Sequence, residues 1–256
     1  MSRLEGKNAL VTGGDQGIGQ AIAFRLAQEG ADVVINFRKN RDGADETCGR
    51  IEALGRRAAA IQADVAIVAD AQRLVEKAVT ALGSIEILVN NAGIEKNAGF
   101  LDITEHDYRA VMDVNLTGPF FATQAFARHR RDRKSGGKVI NISSVHEELP
   151  FPNFTAYCAS KGGLKMMMRN LAIELAPFGI TVNNIAPGAV ETQINAKLLS
   201  DPKLLNPLLA NIPLNRLGKP ADVAGAVAFL TSADADYITG ATIVIDGGLL
   251  WNYSEQ

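Results

Sequence analysis

Tyr157 and Lys161 stand four residues apart at the end of the segment SVHEELPFPNFTAYCASK, which Ser144 opens. On a helix, positions i and i+4 share a face, so the phenol and the ammonium can point the same way. A free phenol, with a pKa of about 10, is a poor base at neutral pH. A neighbouring ammonium favours the phenolate, so the pair predicts a Tyr157 with a lowered pKa, fit for general acid–base work. Such a pair is common on arbitrary helices. Ser144 changes its meaning, because it ends a β-branched run, where open α/β sheets hold their ligands. His146, Glu147 and Glu148 follow it, offering hydrogen bonds to a substrate or simply a solvated loop face.

The elements that must position these groups are legible in the hydrophobic pattern. Short apolar runs at 8–12, 32–37, 58–61, 85–90, 138–142, 180–185 and 242–245 read as strands. Amphipathic stretches at 17–29, 70–82 and 105–131 lie between some of them. Strands apolar on both faces and separated by helices imply a doubly wound α/β fold, a parallel sheet with helices on both sides. No Pro/Gly/Ser-rich linker or repeat divides the chain, so residues 1–256 are expected to form one domain. The segment 191–220, with Pro202, Pro207, Pro213 and Pro220 interrupting two short helical stretches, is the expected lid.

Between the first strand and the first helix lies Thr12-Gly-Gly-Asp-Gln-Gly-Ile-Gly19. Glycines there let backbone N–H groups approach a pyrophosphate at a helix N-terminus. The spacing is G-x-x-x-G-x-G, so the dinucleotide fingerprint is met by position and not to the letter. The second strand ends Asn36-Phe37-Arg38-Lys39, with no acid placed to hold ribose hydroxyls. Arg38 suits a 2′-phosphate, although Asp15 in the glycine turn would repel one that it faced. NADP is therefore the expected cofactor, with NAD as a second.

Composition narrows the partners. A formal net charge of −2 over 256 residues argues against nucleic acid or an anionic membrane surface. No run approaches the roughly 20 apolar residues of a membrane span, and the first residues carry no signal-peptide pattern. Cys48 and Cys158 are far apart and lack metal-ligand spacing, so neither a disulfide framework nor a metal site is expected. A cytoplasmic protein acting on a small molecule is the expectation.

With these motifs in order, the chain resembles the short-chain dehydrogenase/reductase family along nearly its whole length. Thr12 to Gly19 fits the family's TGxxxGxG turn, and Asn90-Asn91-Ala92-Gly93 its NNAG segment. Asn115, Ser144, Tyr157 and Lys161 fit its catalytic tetrad, and Pro187-Gly188 with Thr192 its later cofactor segment. The resemblance implies a Rossmann domain, usually a homotetramer, that moves hydride between a carbinol carbon and nicotinamide. Tyr157 would exchange the hydroxyl proton, Ser144 hold the substrate oxygen, and Lys161 bind the nicotinamide ribose. Asn115, in the middle of a long helix, would hold a water of the proton path. Cofactor contacts would come from Gly13, Asp15, Gln16, Gly17, Ile18, Gly19, Arg38, Asp64, Val65, Asn91, Ala92, Gly93, Pro187, Gly188, Val190 and Thr192, with Tyr157 and Lys161. Asp64 would face the adenine and Thr192 the carboxamide.

The family's fold does not select a substrate. In detail the chain is similar to bacterial glucose 1-dehydrogenases: the run Ile142–Glu147, the Pro150-Phe-Pro152 loop and Glu95 after the Gly93-Ile94 pair all match. That implies oxidation of D-glucose or a close aldose at C1, with Glu95, Ser144, His146 and Tyr157 as substrate contacts. A 3-oxoacyl-[acyl-carrier-protein] reductase using NADPH is the alternative, for which the basic run 128–134 would be the carrier footprint, unless that run is only a solvated helix end. A non-catalytic dinucleotide-binding module is the reading from another class.

Overall fold

Strands whose alternate residues are both apolar must be covered on both faces, and that requirement sets the architecture. The computed structural model describes residues 2–192 and 201–252. Its strands are β1 (Asn8–Val11), β2 (Asp32–Phe37), β3 (Ala58–Gln62), β4 (Ile87–Asn90), β5 (Gly137–Ile142), β6 (Ile180–Pro187) and β7 (Thr242–Ile245). They form one parallel seven-stranded sheet in the order β3-β2-β1-β4-β5-β6-β7. The order reverses between β1 and β4, which opens a crevice at the carboxyl ends of those strands.

The helices are α1 (Gly17–Gln28), α2 (Arg41–Glu52), α3 (Val68–Leu82), α4 (Glu105–Met112), α5 (Gly118–Asp132), α6 (Thr155–Glu174), α7 (Pro202–Ala210) and α8 (Pro220–Thr231). Ala9, Val11, Val33, Ile35, Ile87 and Val89 face one layer, with Ile22 and Leu26 of α1 and Val227 of α8. Leu10, Val34, Leu88 and Val139 face the other, with Leu74 of α3, Phe126 of α5 and Met168 of α6. Each strand thus divides its side chains between two cores with period two, which fixes the register.

Several expected elements come out differently. The fourth strand starts at Ile87, because the Glu86 side chain accepts from Asn8 N, Ser84 Oγ and Arg130 Nη1. Arg130 is consequently buried, bonding also to the carbonyls of Ile85 and Gly136, so the basic run at 128–134 is not simply a solvated helix end. The long helix expected at 105–131 is α4 and α5 joined by a π-turn, Asp113–Thr117. Residue 119 is a proline, so the Asn115 carbonyl has no α-helical N–H to accept from, and the helix widens there. Pro202 and Pro220 open α7 and α8 instead of interrupting helices, because the first helical position needs no N–H. Residues 193–200 of the expected lid and residues 253–256 of the C-terminal tail lie outside the described residues. No helix among the described residues is long and apolar enough to cross a membrane.

Candidate active site

Six strand ends supply the crevice. After β1, Gly17 takes a φ of +56°, which favours glycine, and a Cβ on Gly19 would run into the Gly13 carbonyl. Asn91 braces this turn from the end of β4, its Nδ2 donating to the carbonyls of Thr12 at 2.8 Å and Gly13 at 3.0 Å. Thr12 Oγ1 in return accepts from the N–H groups of Asn91 and Ala92. Thr192, beyond β6, approaches from the other side: a Cβ on Gly17 would lie 3.7 Å from its Cγ2. The turn and the 187–192 segment, remote in sequence, therefore meet.

The turn fits a pyrophosphate. Gln16, the N-cap of α1, makes no side-chain cap bond, and the first turn of α1 holds no acid. Uncapped N–H groups at a positive helix end are what an anion requires. At the end of β2, Arg38 is mostly exposed, its Nη1 3.8 Å from Asp64 Oδ2 after β3. Asp64 Oδ1 accepts from Ala66 N, which fixes the corner beside the buried Val65. Arg41, the first residue of α2, stacks over Phe37 at 4.7 Å and adds a cation that sequence reasoning did not single out.

The second half of the crevice is built from β5, the π-turn and α6. Ser144, two residues beyond β5, accepts from His146 N through its Oγ, which starts the short turn Val145–Glu147. Asn115 spends its amide on structure: Nδ2 donates to Ile94 O at 2.9 Å and Ser160 Oγ at 3.1 Å, and Oδ1 accepts from Ile94 N. A Cβ on Gly93 would stand 3.5 Å from Asn115 Oδ1 and 3.8 Å from Lys161 Nζ, so those three positions border one space. Lys161 is 4% exposed, and Nζ donates to Ile142 O at 2.9 Å.

The electrostatics depart from the expected Tyr–Lys pairing. Burial pushes the Tyr157 phenol up to about 12, opposed by a hydrogen bond with Ser144 and assisted by the charge of Glu95. Lys161 Nζ is 5.6 Å from the Tyr157 ring centre and turned to a backbone carbonyl, so it does not lower the phenol. Its own pKa falls to about 8, because burial penalises the ammonium, with Glu147 partly restoring it. The expectation of a lowered Tyr157 is therefore corrected: desolvation outweighs an ammonium at that distance.

Around Tyr157, two loops bring polar groups. Glu95 is partly buried after β4, and desolvation raises its pKa. His146 Nδ1 lies 3.0 Å from Leu149 O; a carbonyl only accepts, so Nδ1 carries the proton and Nε2 of the neutral ring is an acceptor. Burial lowers the His146 pKa and keeps that form. Its ring is 6.2 Å from Tyr157 and stacks on Phe151 at 4.3 Å, which stacks on Phe154 at 4.1 Å. Asn153 O accepts from Ala98 N and so joins this loop to the one bearing Glu95.

Glu147 is the main surprise. Its side chain is 2% exposed, whereas its neighbour Glu148 is largely exposed and pairs with Lys165. It is thus no solvated loop residue. Asn90, Asn141 and Asn184, one on each of β4, β5 and β6, form a bonded row ending at it. The sequence signal was an Asn near the end of three apolar strand runs. Val190 and Ile18 pack into the core layer that holds α1, and a Cβ on Gly188 would meet Asp246. Among the described residues no cluster suits a metal ion.

A family model described as enoyl-(acyl carrier protein) reductase matches residues 13–250. The chain is 44% identical over 246 residues to 3beta-hydroxysteroid dehydrogenase 1 of Eggerthella lenta, covering 96% of this chain and 94% of the relative. It is 40% identical to glucose 1-dehydrogenase 2 of Bacillus subtilis, over 96% of this chain and 95% of that one. Among solved structures, a gluconate 5-dehydrogenase from Burkholderia cenocepacia in complex with NADP and tartrate matches with a TM-score of 0.93 at 38% identity, covering 98% of both chains.

Proposed function

The chain belongs to the short-chain dehydrogenase/reductase family and is an NAD(P)-dependent oxidoreductase, and from that premise we propose that it oxidises a sugar, D-glucose or a close aldose, at C1 to the lactone. The observation that carries the sugar reading is that two loops joined by the Ala98 N–Asn153 O bond bring polar groups around Tyr157. One is the His146 ring, 6.2 Å away with Nε2 an acceptor, and the other is Glu95, whose charge raises the phenol. A polyol requires acceptors for several hydroxyls, whereas an acyl chain requires an apolar groove. The relative from Bacillus subtilis, a glucose 1-dehydrogenase by name, supports the same reading.

In this reading Ser144 holds the C1 oxygen and Tyr157 receives its proton. Lys161 supplies the positive charge near the phenol, and Asn115, at the widened helix turn, passes the proton on through a water at its carbonyl. The cofactor, when bound, supplies the hydride-accepting nicotinamide. Uncapped N–H groups at Gly17–Gly19 hold its pyrophosphate, Arg38 the 2′-phosphate of NADP, Asp64 the adenine and Thr192 the carboxamide. NADP in the Burkholderia relative supports the cofactor preference. Exposed Phe120 and Phe178 border a groove between α5 and α6, which supports assembly as a homo-oligomer.

The stack of His146, Phe151 and Phe154 favours one second reading, a planar apolar alcohol such as a 3β-hydroxysteroid, the substrate class named for the Eggerthella relative. The test is cofactor reduction with a panel of aldoses and a 3β-hydroxysteroid, beside NADPH oxidation with an acetoacetyl thioester. Turnover of an aldose with the highest kcat/KM is expected. Preference for the steroid or the thioester would contradict the sugar assignment, and binding of NADP without any turnover would favour a non-catalytic module.

A further inference from the structure

Ser144 and His146 stand on a short turn, Val145–Glu147 with Ser144 as its cap, between β5 and α6. The turn's backbone hydrogen bonds close on itself: Glu147 N donates to Ser144 O at 3.0 Å, and Leu149 N to Val145 O at 2.8 Å. Its polar ties to the sheet and to α6 therefore fall to side chains, and three of them meet at one carboxylate, that of Glu147.

Ser143 Oγ donates to Glu147 Oε2 at 2.6 Å and Asn184 Nδ2 at 3.2 Å, which ties the turn to the end of β5 and to β6. Lys165 Nζ lies 3.5 Å from Oε1, which ties it to α6. Every partner is a donor, so the position requires a group that only accepts. The asparagine row sets this demand. Asn90 Nδ2 donates to Asn141 Oδ1 at 2.9 Å, and Asn141 Nδ2 to Asn184 Oδ1 at 3.0 Å. The Asn184 oxygen is thus taken, and its amide N–H group is what faces Glu147. The Glu147 side chain is 2% exposed, so water does not stand in for a lost partner.

The clamp and the chemistry share one face of α6, where Tyr157, Lys161 and Lys165 recur at four-residue spacing. The turn meets that face at two points. Ser144 hydrogen-bonds the Tyr157 phenol at one, and Glu147 and Glu148 both pair with Lys165 at the other. The His146 ring, carried between them, stands 6.2 Å from Tyr157. Because Glu147 N is bonded to Ser144 O, holding the Glu147 end of the turn also holds Ser144.

We propose that Glu147, held by Ser143, Asn184 and Lys165, is a positioning residue that sets the Ser144 hydroxyl against Tyr157 for proton transfer. The inference rests on the reading of Ser144 and Tyr157 as the groups that hold and deprotonate the substrate hydroxyl. Glutamine cannot replace Glu147: its NH₂ group would face either the donors on Oε2 or the Lys165 ammonium. Lys165 keeps Glu148 as a partner in that variant, so no cation is left unpaired.

The test is a double-mutant cycle in the full-length protein with D-glucose and NADP. Glu147→Gln should lower kcat about ten- to a hundred-fold, the effect of a slightly misplaced reacting group, with the KM for NADP nearly intact. In a Ser144→Ala background the same change should cost almost nothing further, because the hydroxyl that it places is gone. Losses that multiply across the two sites would overturn the proposal, since a general structural defect predicts that result. If Glu147→Gln fails to fold, Lys165→Met takes its place in the cycle. It should show a smaller loss that Lys165→Arg restores and Ser144→Ala abolishes, and a wild-type kcat in Lys165→Met would overturn the proposal. Hydrogen exchange of the backbone amides at 145–149 reads the turn without any turnover. It should quicken in Glu147→Gln or Lys165→Met, and unchanged exchange would overturn the proposal even where kcat falls. Quickened exchange in a protein whose wild type oxidises no D-glucose would leave the clamp standing and sink the sugar reading instead.

Discussion

Replacing Lys161 by methionine should make the protein more stable while removing its chemistry. Burial pulls the Lys161 pKa from 10.5 to about 8. At about 1.4 kcal/mol per pH unit, that depression costs about 3 kcal/mol of folding stability while the amine is protonated. Methionine keeps an unbranched stem in the same space but gives up the 2.9 Å bond to the Ile142 carbonyl, a loss of about 1 kcal/mol. The net gain at neutral pH is about 2 kcal/mol, or about 4–8 °C in Tm for a chain of this length. The sign reverses the usual one for lysines that gain a partner. Below about 8, Lys161 is protonated in the folded and unfolded chains alike, and the whole penalty is present. Between there and 10.5 the unfolded chain binds more protons, so wild-type stability rises with pH. Thermal unfolding of both proteins at neutral pH and again near pH ~10 measures the difference. The variant's advantage should shrink toward the alkaline end. A methionine variant less stable at neutral pH, or an advantage independent of pH, would refute a desolvated ammonium at this position.

Arg38→Ala should lower the NADP/NAD ratio of kcat/KM by about ten- to a hundred-fold, the worth of a charge-assisted contact to phosphate. An unchanged ratio would show that Arg38, already 3.8 Å from Asp64, does not meet the 2′-phosphate. Glu95→Gln should raise KM for the aldose about five-fold with a smaller effect on kcat, because a neutral amide accepts a hydroxyl less strongly than a carboxylate. A fall in kcat at constant KM would place Glu95 in the proton path instead.

The sheet was legible because each strand announces itself locally. Runs such as Asp32–Phe37 and Ile180–Ile185 are apolar on both faces, and period two cannot be satisfied by a helix covered on one side. The Tyr157–Lys161 pair stood out by its spacing, the tetrad as a set came only with the family resemblance, and the fold brings Ser144, Tyr157 and Lys161 together. Their electrostatics were not legible. A four-residue spacing says that Tyr157 and Lys161 share a face, but not that Nζ turns to Ile142 or that burial outweighs it. Glu147 was unreadable for a related reason. A charged residue in a loop looks solvated until the register of β4, β5 and β6 places an asparagine row behind it, and register is a non-local property. The π-turn at Asn115 had a local cause in Pro119, yet only the helix on both sides makes it a widening and not an end.

The central claim is that Tyr157 exchanges the proton of a sugar hydroxyl in this crevice. The most direct test is NADP reduction by an aldose, comparing the wild type with Tyr157→Phe while NADP binding is followed separately by protein fluorescence. The account predicts a loss in kcat of about a hundred- to ten-thousand-fold with cofactor affinity nearly intact, the range of a single general acid–base group. A phenylalanine variant that oxidises the sugar at the wild-type rate would contradict it.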